Sequence, residues 1–399
     1  MMSHRSALSW ISLFAFFIVI VGVAGVVLHG QTAVAQPSCE DPFQDAGRLR
    51  FSTAYWPLTD FCIHSVPYQE IRSGGPPPDG IPPIDSPQFE SVQDAASWLQ
   101  DQSPVIALVI AGDARAYPLA ILTWHEIAND VVGDVPVAVT FCPLCNSAIV
   151  FDRRVGDATL RFGVSGNLRN SDLIMWDDQT QSWWQQLDGE GIVGVYTGTQ
   201  LTMLPSQVIG FGDFAASFPD GQVLSRRTGY DRSYGANPYP GYDSAQTPFL
   251  FEGELDNRLA ATAHVLGALI NGQAVAYPFS LLRERPVIND TVGEIDVVVF
   301  WQDGATSALD QRSIDQSRPV GSAAMYERQL NGRTLTFFLD EQGVIRDEQT
   351  NSAWNMFGRA VEGELAGTQL RQEIAGPFFW FAWAAFRPQT LIVGIDYTP

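Results

Sequence analysis

The sequence predicts an α+β protein, predominantly β, built from an internally duplicated β-rich unit with pseudo-two-fold organisation and preceded by an irregular segment rich in proline and glycine. Three observations carry that expectation. Residues 135–152 read V-P-V-A-V-T-F-C-P-L-C-N-S-A-I-V-F-D, two apolar runs flanking a short turn, which is the pattern of a β-hairpin. Ala116-Tyr117-Pro118, Asn129-Asp130, Gly133, Val137, Val139 and Ser147-Ala148 recur without gaps at one fixed spacing as Ala276-Tyr277-Pro278, Asn289-Asp290, Gly293, Val297, Val299 and Ser307-Ala308. Self-similarity of that kind marks a repeated structural unit. Residues 73–85, S-G-G-P-P-P-D-G-I-P-P-I-D, carry too many fixed φ angles and missing N–H donors for helix or sheet.

Length and charge bound the rest. A chain of 399 residues exceeds a single ordinary core, so two domains are the default expectation. The formal net charge of −21 argues against nucleic acid or anionic lipid headgroups as partners, since both would be repelled. Every cationic side chain is arginine, which removes Schiff-base lysine chemistry and the Walker-type phosphate lysine.

Taken in order, residues 1–35 form a signal peptide or membrane anchor: an apolar run over residues 7–28 follows His4 and Arg5, with Ala33-Val34-Ala35 as a cleavage site. The body of the chain is then exported, periplasmic or extracellular, and an uncleaved run is long enough to serve as a membrane tether. Residues 36–95 are the Pro/Gly-rich segment, expected to be ordered over a domain because Ile81, Ile84 and aromatic residues give it something to bury. In an oxidising compartment Cys39 pairs with Cys62 by proximity and parity. Residues 96–225 form the first repeat, with a strand over residues 105–110 and a short helix or helical turn over residues 121–130. Residues 226–258 are a Tyr/Gly/Pro-rich connecting loop, a cover for a cleft or a plain connector. Residues 259–399 form the second repeat, where Asp177, Gln179-Thr180, Ser182 and Trp184 return as Asp347, Gln349-Thr350, Ser352 and Trp354.

The chemistry concentrates at the hairpin tip. Pro143 sets φ after Cys142, and Asn146 after Cys145 tolerates the left-handed conformation such a turn needs, so both sulfurs converge as in a metal knuckle. The repeat fails where chemistry would sit: His125 becomes Arg285, Cys142 becomes Gln302 and Cys145 becomes Ala305. That groups His125, Cys142 and Cys145 as one site carried by the first copy alone, with Met175 a weak fourth ligand. Sulfur ligands favour copper or zinc, and zinc with an open position would use Glu126 or Asp79 as base. Two other readings stay open. One is thiol–disulfide exchange by the cysteine pair with an unknown small-molecule or redox partner, His125 lowering one thiol pKa. The other is a non-enzymatic binding or structural protein stapled by a disulfide. Residues 189–194 match G-x-G-x-x-G but neither follow a clear strand nor open a clear helix, so they read as a turn.

These motifs also carry a resemblance. Gly74-Gly75-Pro76-Pro77-Pro78-Asp79-Gly80-Ile81-Pro82, Ala116-Tyr117-Pro118-Leu119, Trp124-His125-Glu126-Ile127-Ala128-Asn129-Asp130, Thr140-Phe141-Cys142-Pro143-Leu144-Cys145-Asn146-Ser147-Ala148, and Gly163-Val164-Ser165-Gly166 followed by Asn170-Ser171-Asp172 resemble the exported bacterial and archaeal proteins grouped as domain of unknown function 3179. The likeness spans roughly residues 65–243. Members usually carry glycine after the second cysteine, where this chain has Asn146, which accepts the same backbone region. The resemblance implies no particular chemistry, so function rests on the site.

Overall fold

Alternating apolar residues and dense β-branched runs favour extended chain with one face buried, and strands are the main element of the protein. The computed structural model describes Cys39, residues 41–44 and residues 47–399. The chain divides into two units, Met1–Glu40 and Asp41–Pro399. The expected signal segment, residues 1–35, lies outside the described residues. The membrane tether expected through residues 7–28 falls on the same segment, outside the described residues, and is not carried forward; no helix among the described residues is long and apolar enough to cross a membrane. Cys39 belongs to the first unit and Cys62 to the second.

In the second unit, β1 (Pro104–Ile110) and β2 (Asp113–Pro118) form a hairpin leading into α1 (Leu119–His125). Next come β3 (Ile127–Val132), β4 (Val135–Cys142) and β5 (Ser147–Asp152), an antiparallel meander in which Cys142 faces Ser147 across the last rung. A continuous helical turn over residues 121–130 does not form. The helix stops at His125 because Glu126 adopts φ 59°, and Ile127, Val131 and Val132 then pair with β4. β6 (Phe162–Arg169), β7 (Asp172–Asp177) and β8 (Trp183–Gln185) make a second antiparallel layer whose outer edge is Ile71–Ser73.

The same succession returns later. β9 (His264–Ile270), β10 (Gln273–Pro278), α2 (Phe279–Glu284), β11 (Val287–Val292) and β12 (Ile295–Gln302) follow one another as β1 to β4 do, and β13 (Ser322–Glu327) completes that meander. β14 (Ala375–Phe379) and α3 (Trp380–Phe386) close the chain against β9. Details match as well. The Tyr117 hydroxyl donates to Asp130 at 2.6 Å and that of Tyr277 to Asp290 at 2.7 Å. Asp177 accepts from Thr180 N and Trp184 Nε1 at 2.7 and 2.9 Å, and Asp347 from Thr350 N and Trp354 Nε1 at 2.7 and 3.0 Å. One apolar cluster holds Val139 and Val150 together with Val265, Phe378 and Trp380, so the two halves share a core.

The proline-rich stretch is fixed by backbone bonds rather than by regular structure. Gly74 N donates to Gly166 O at 2.7 Å, Asp79 N to Val164 O at 2.8 Å, and Ile84 bridges Ala128. Gly166 is required here: at φ 75° a Cβ would stand 2.0 Å from Pro76 O.

Candidate metal centre

The tip of the β4–β5 hairpin is a four-residue turn in which Cys145 N and Asn146 N donate to Cys142 O and Pro143 O, each at 3.3 Å. Asn146 takes φ 51°, the left-handed conformation expected of it. The turn is held from three sides: Phe379 N donates to Cys145 O at 2.8 Å, Tyr242 Oη to Leu144 O at 3.0 Å, and Asn146 Nδ2 lies 3.4 Å from His264 Nδ1. Both cysteines are free thiols and almost wholly buried.

The third member of the cluster is Asp172, which opens β7. Ligand atoms of Cys142, Cys145 and Asp172 all lie within 4.8 Å of one another. Asp172 is fully buried; its Oδ2 accepts from Gln185 Nε2 at 2.6 Å and Leu187 N at 2.9 Å, while its Oδ1 has no hydrogen-bond partner. A buried carboxylate oxygen without a donor is costly unless a cation or proton satisfies it. Glu126 is the fourth acidic group, also buried. Burial, then the Asp172 charge, pushes its pKa up to about 8, and burial pushes Asp172 up to about 7. Burial raises both thiols too, Cys145 well above its ordinary value. Four acids therefore share one water-poor pocket.

His125 is elsewhere. Its Nδ1 lies 2.6 Å from Pro82 O and its Nε2 2.7 Å from Tyr234 Oη. A carbonyl only accepts, so Nδ1 carries the proton, and in the neutral ring that burial favours Nε2 accepts from Tyr234. No ring nitrogen is left for a metal, and Asp172 takes the place His125 was expected to fill. The helix end explains this: the left-handed Glu126 turns consecutive side chains apart, His125 toward the proline-rich loop and Glu126 toward the acids. Asp79, at φ 53°, accepts from Arg161 Nη1 at 2.7 Å and from Val164 N and Trp176 Nε1 at 3.0 Å each, so its carboxylate pins the loop to β6 and β7. Met175 is fully buried opposite Trp184, and strand alternation places it on the other face of β7 from Asp172.

The connecting loop spans the site. Trp124 Nε1 donates to Ala236 O at 3.0 Å, Tyr234 reaches His125, and Tyr242 reaches the cysteine turn. Burial first, then the neighbouring Glu126 and Cys142 charges, raises the pKa of Tyr239.

The family model described as Protein of unknown function (DUF3179) matches residues 78–390. The chain belongs to the DUF3179 family. No curated protein and no solved structure matches it. In this DUF3179 chain the missed residue, Asp172, had left a trace in the sequence. At the offset that carries Asp177 onto Asp347, Asp172 falls on Gln342, just as the cysteines fall on Gln302 and Ala305.

Proposed function

We propose that this protein binds one divalent transition-metal ion, zinc in preference to copper, through Cys142, Cys145 and Asp172, with Glu126 beside the remaining position. The observation that carries the reading is the buried cluster itself: two thiols and a carboxylate within 4.8 Å, with the carboxylate's Oδ1 unpartnered. Two thiolates and an oxygen donor are a zinc set, since Cu(I) favours all-sulfur or nitrogen surroundings. A divalent cation also gives the four acids the counter-charge that their surroundings lack. The thiol-exchange reading has weaker support, because burial raises both thiols and so depletes the attacking thiolate. We also read the chain as a duplication in which the first copy carries the site and the second serves as scaffold; the repeated order of elements and the repeated Asp–Thr–Trp knots support it.

Elemental analysis of the purified full chain tests the assignment, with free thiols counted in the same samples. One zinc per chain is expected, lost in both Cys142→Ser/Cys145→Ser and Asp172→Asn. A metal-free chain with a reducible Cys142–Cys145 disulfide would replace this reading with thiol redox chemistry.

A further inference from the structure

A cavity of about 380 Å³ opens where the connecting loop meets the second half, bounded by residues 243–246, residues 260–264, α2 and the segment before β13. Its apolar walls are Ala245, Ala261, Ala263, Phe279 and Val320, and two arginines line it, Arg283 from α2 and Arg318. A space of this size takes a small molecule, and a few polar groups among apolar walls decide which.

Both guanidiniums are placed by buried groups, yet both keep accessible donors. Asp243 is wholly buried, and its Oδ2 accepts from Arg318 Nη2 at 2.9 Å while the arginine side chain stays 47 % exposed. The guanidinium of Arg283 lies 5.8 Å from the centroid of the Trp301 ring, with Nη2 3.5 Å from Pro319 O. That indole is buried and seated against Gly321, where a Cβ would stand 2.5 Å from the ring, so it forms a fixed shelf. Arg283 is itself exposed, and no carboxylate among the described residues pairs with it. In neither arginine does Nε or Nη1 hold a bond to a described residue.

Two guanidiniums thus meet one carboxylate. Burial, then the Arg318 charge, brings the His264 pKa down to about 3, so the imidazole in the same wall stays neutral and the cavity carries one surplus positive charge. In a chain of net charge −21 the surrounding field admits one anionic group more readily than several. A phosphate monoester brings close to two charges and a carboxylate one. A planar guanidinium fork also matches the two oxygens of a carboxylate.

We propose that this cavity binds a small organic carboxylate, its charged end between Arg283 and Arg318 and its apolar body along Phe279 and the alanines. The site does not rest on the metal of the cysteine cluster. 2-Naphthoate is the probe, titrated into the full chain by isothermal calorimetry. One saturable site per chain is expected, with 2-naphthamide, the same body without the charge, at least about tenfold weaker. Arg283→Gln should weaken naphthoate about tenfold, and because that side chain is exposed and unpaired the fold is not at stake. Arg318→Gln should act likewise but leaves Asp243 buried without its partner, so circular dichroism accompanies it. Ser280→Trp fills the space from α2 and should abolish binding. Absence of saturable binding, or full affinity in Arg283→Gln or in folded Ser280→Trp, overturns the site. Equal affinity for 2-naphthamide, or tighter binding of 2-naphthyl phosphate than of naphthoate, overturns the carboxylate assignment.

Discussion

Zinc loading should release protons in a number that depends on pH, and that dependence identifies the groups involved. Both thiols are raised by burial, so each meets the ion as S–H and gives up one proton. Asp172 and Glu126, at about 7 and about 8, are still largely protonated at pH 6. An ion that draws all four to their anionic forms then releases about four protons per chain at pH 6, falling toward about two at pH 9 where both carboxyls have already ionised. The perturbation is Asp172→Asn. It should lower the pH 6 value to about three and weaken zinc binding more than about a hundredfold, beyond the range of outer-sphere changes. Calorimetry in two buffers of different ionisation enthalpy, with a competing chelator, measures both quantities. A proton count that stays constant from pH 6 to pH 9, or is unaltered in Asp172→Asn, would refute the reasoning.

Further outcomes follow from the same geometry. In the metal-free chain the two carboxyls have folded pKa values raised above the unfolded value of about 4, so their contribution is fully present below that pH and is lost as pH rises through about 7 to 8. Its melting temperature should fall between pH 5 and pH 8, and Glu126→Gln should flatten the fall. His125→Gln should leave zinc stoichiometry unchanged and lower thermal stability, because the ring ties α1 to the Pro82 and Tyr234 segments; loss of zinc would restore the histidine as a ligand. Gly166→Ala should cost roughly 3 kcal/mol in denaturant unfolding, since a left-handed residue would also strike a backbone carbonyl that cannot swing away. Peptide mapping of unreduced protein should find Cys39 joined to Cys62; two free thiols there would end that pairing.

The hairpin was readable because its information is local: alternation in residues 135–142, two cysteines at the tip, and an asparagine where the backbone must turn left-handed. The proposed repeat rests on identities at one spacing, which need no knowledge of contacts. The membership of the cluster was not readable. Cys145 and Asp172 belong to different hairpins and meet only when two sheets pack, while His125 and Glu126 are neighbours in sequence that a single residue's φ sends apart. Periodicity could not place that break either, because Trp124, Ile127 and Ala128 suit a helix as well as a strand. Asp79 misled for a related reason: a carboxylate in a proline-rich loop resembles a free base until Arg161, Val164 and Trp176 are seen to claim it.

The loop of tyrosines across the cluster bears on time as well as on strength. Tyr234 and Tyr242 fasten it at two points, to His125 and to the Leu144 carbonyl, and Tyr239 lies between them close to the acids. In the proposed site an ion leaves only during the moments when both fastenings are undone. Exchange with a chelator should then proceed at a rate set by how often the loop lifts, unaffected by raising the chelator concentration, and Tyr242→Phe should hasten it without changing the number of ions held.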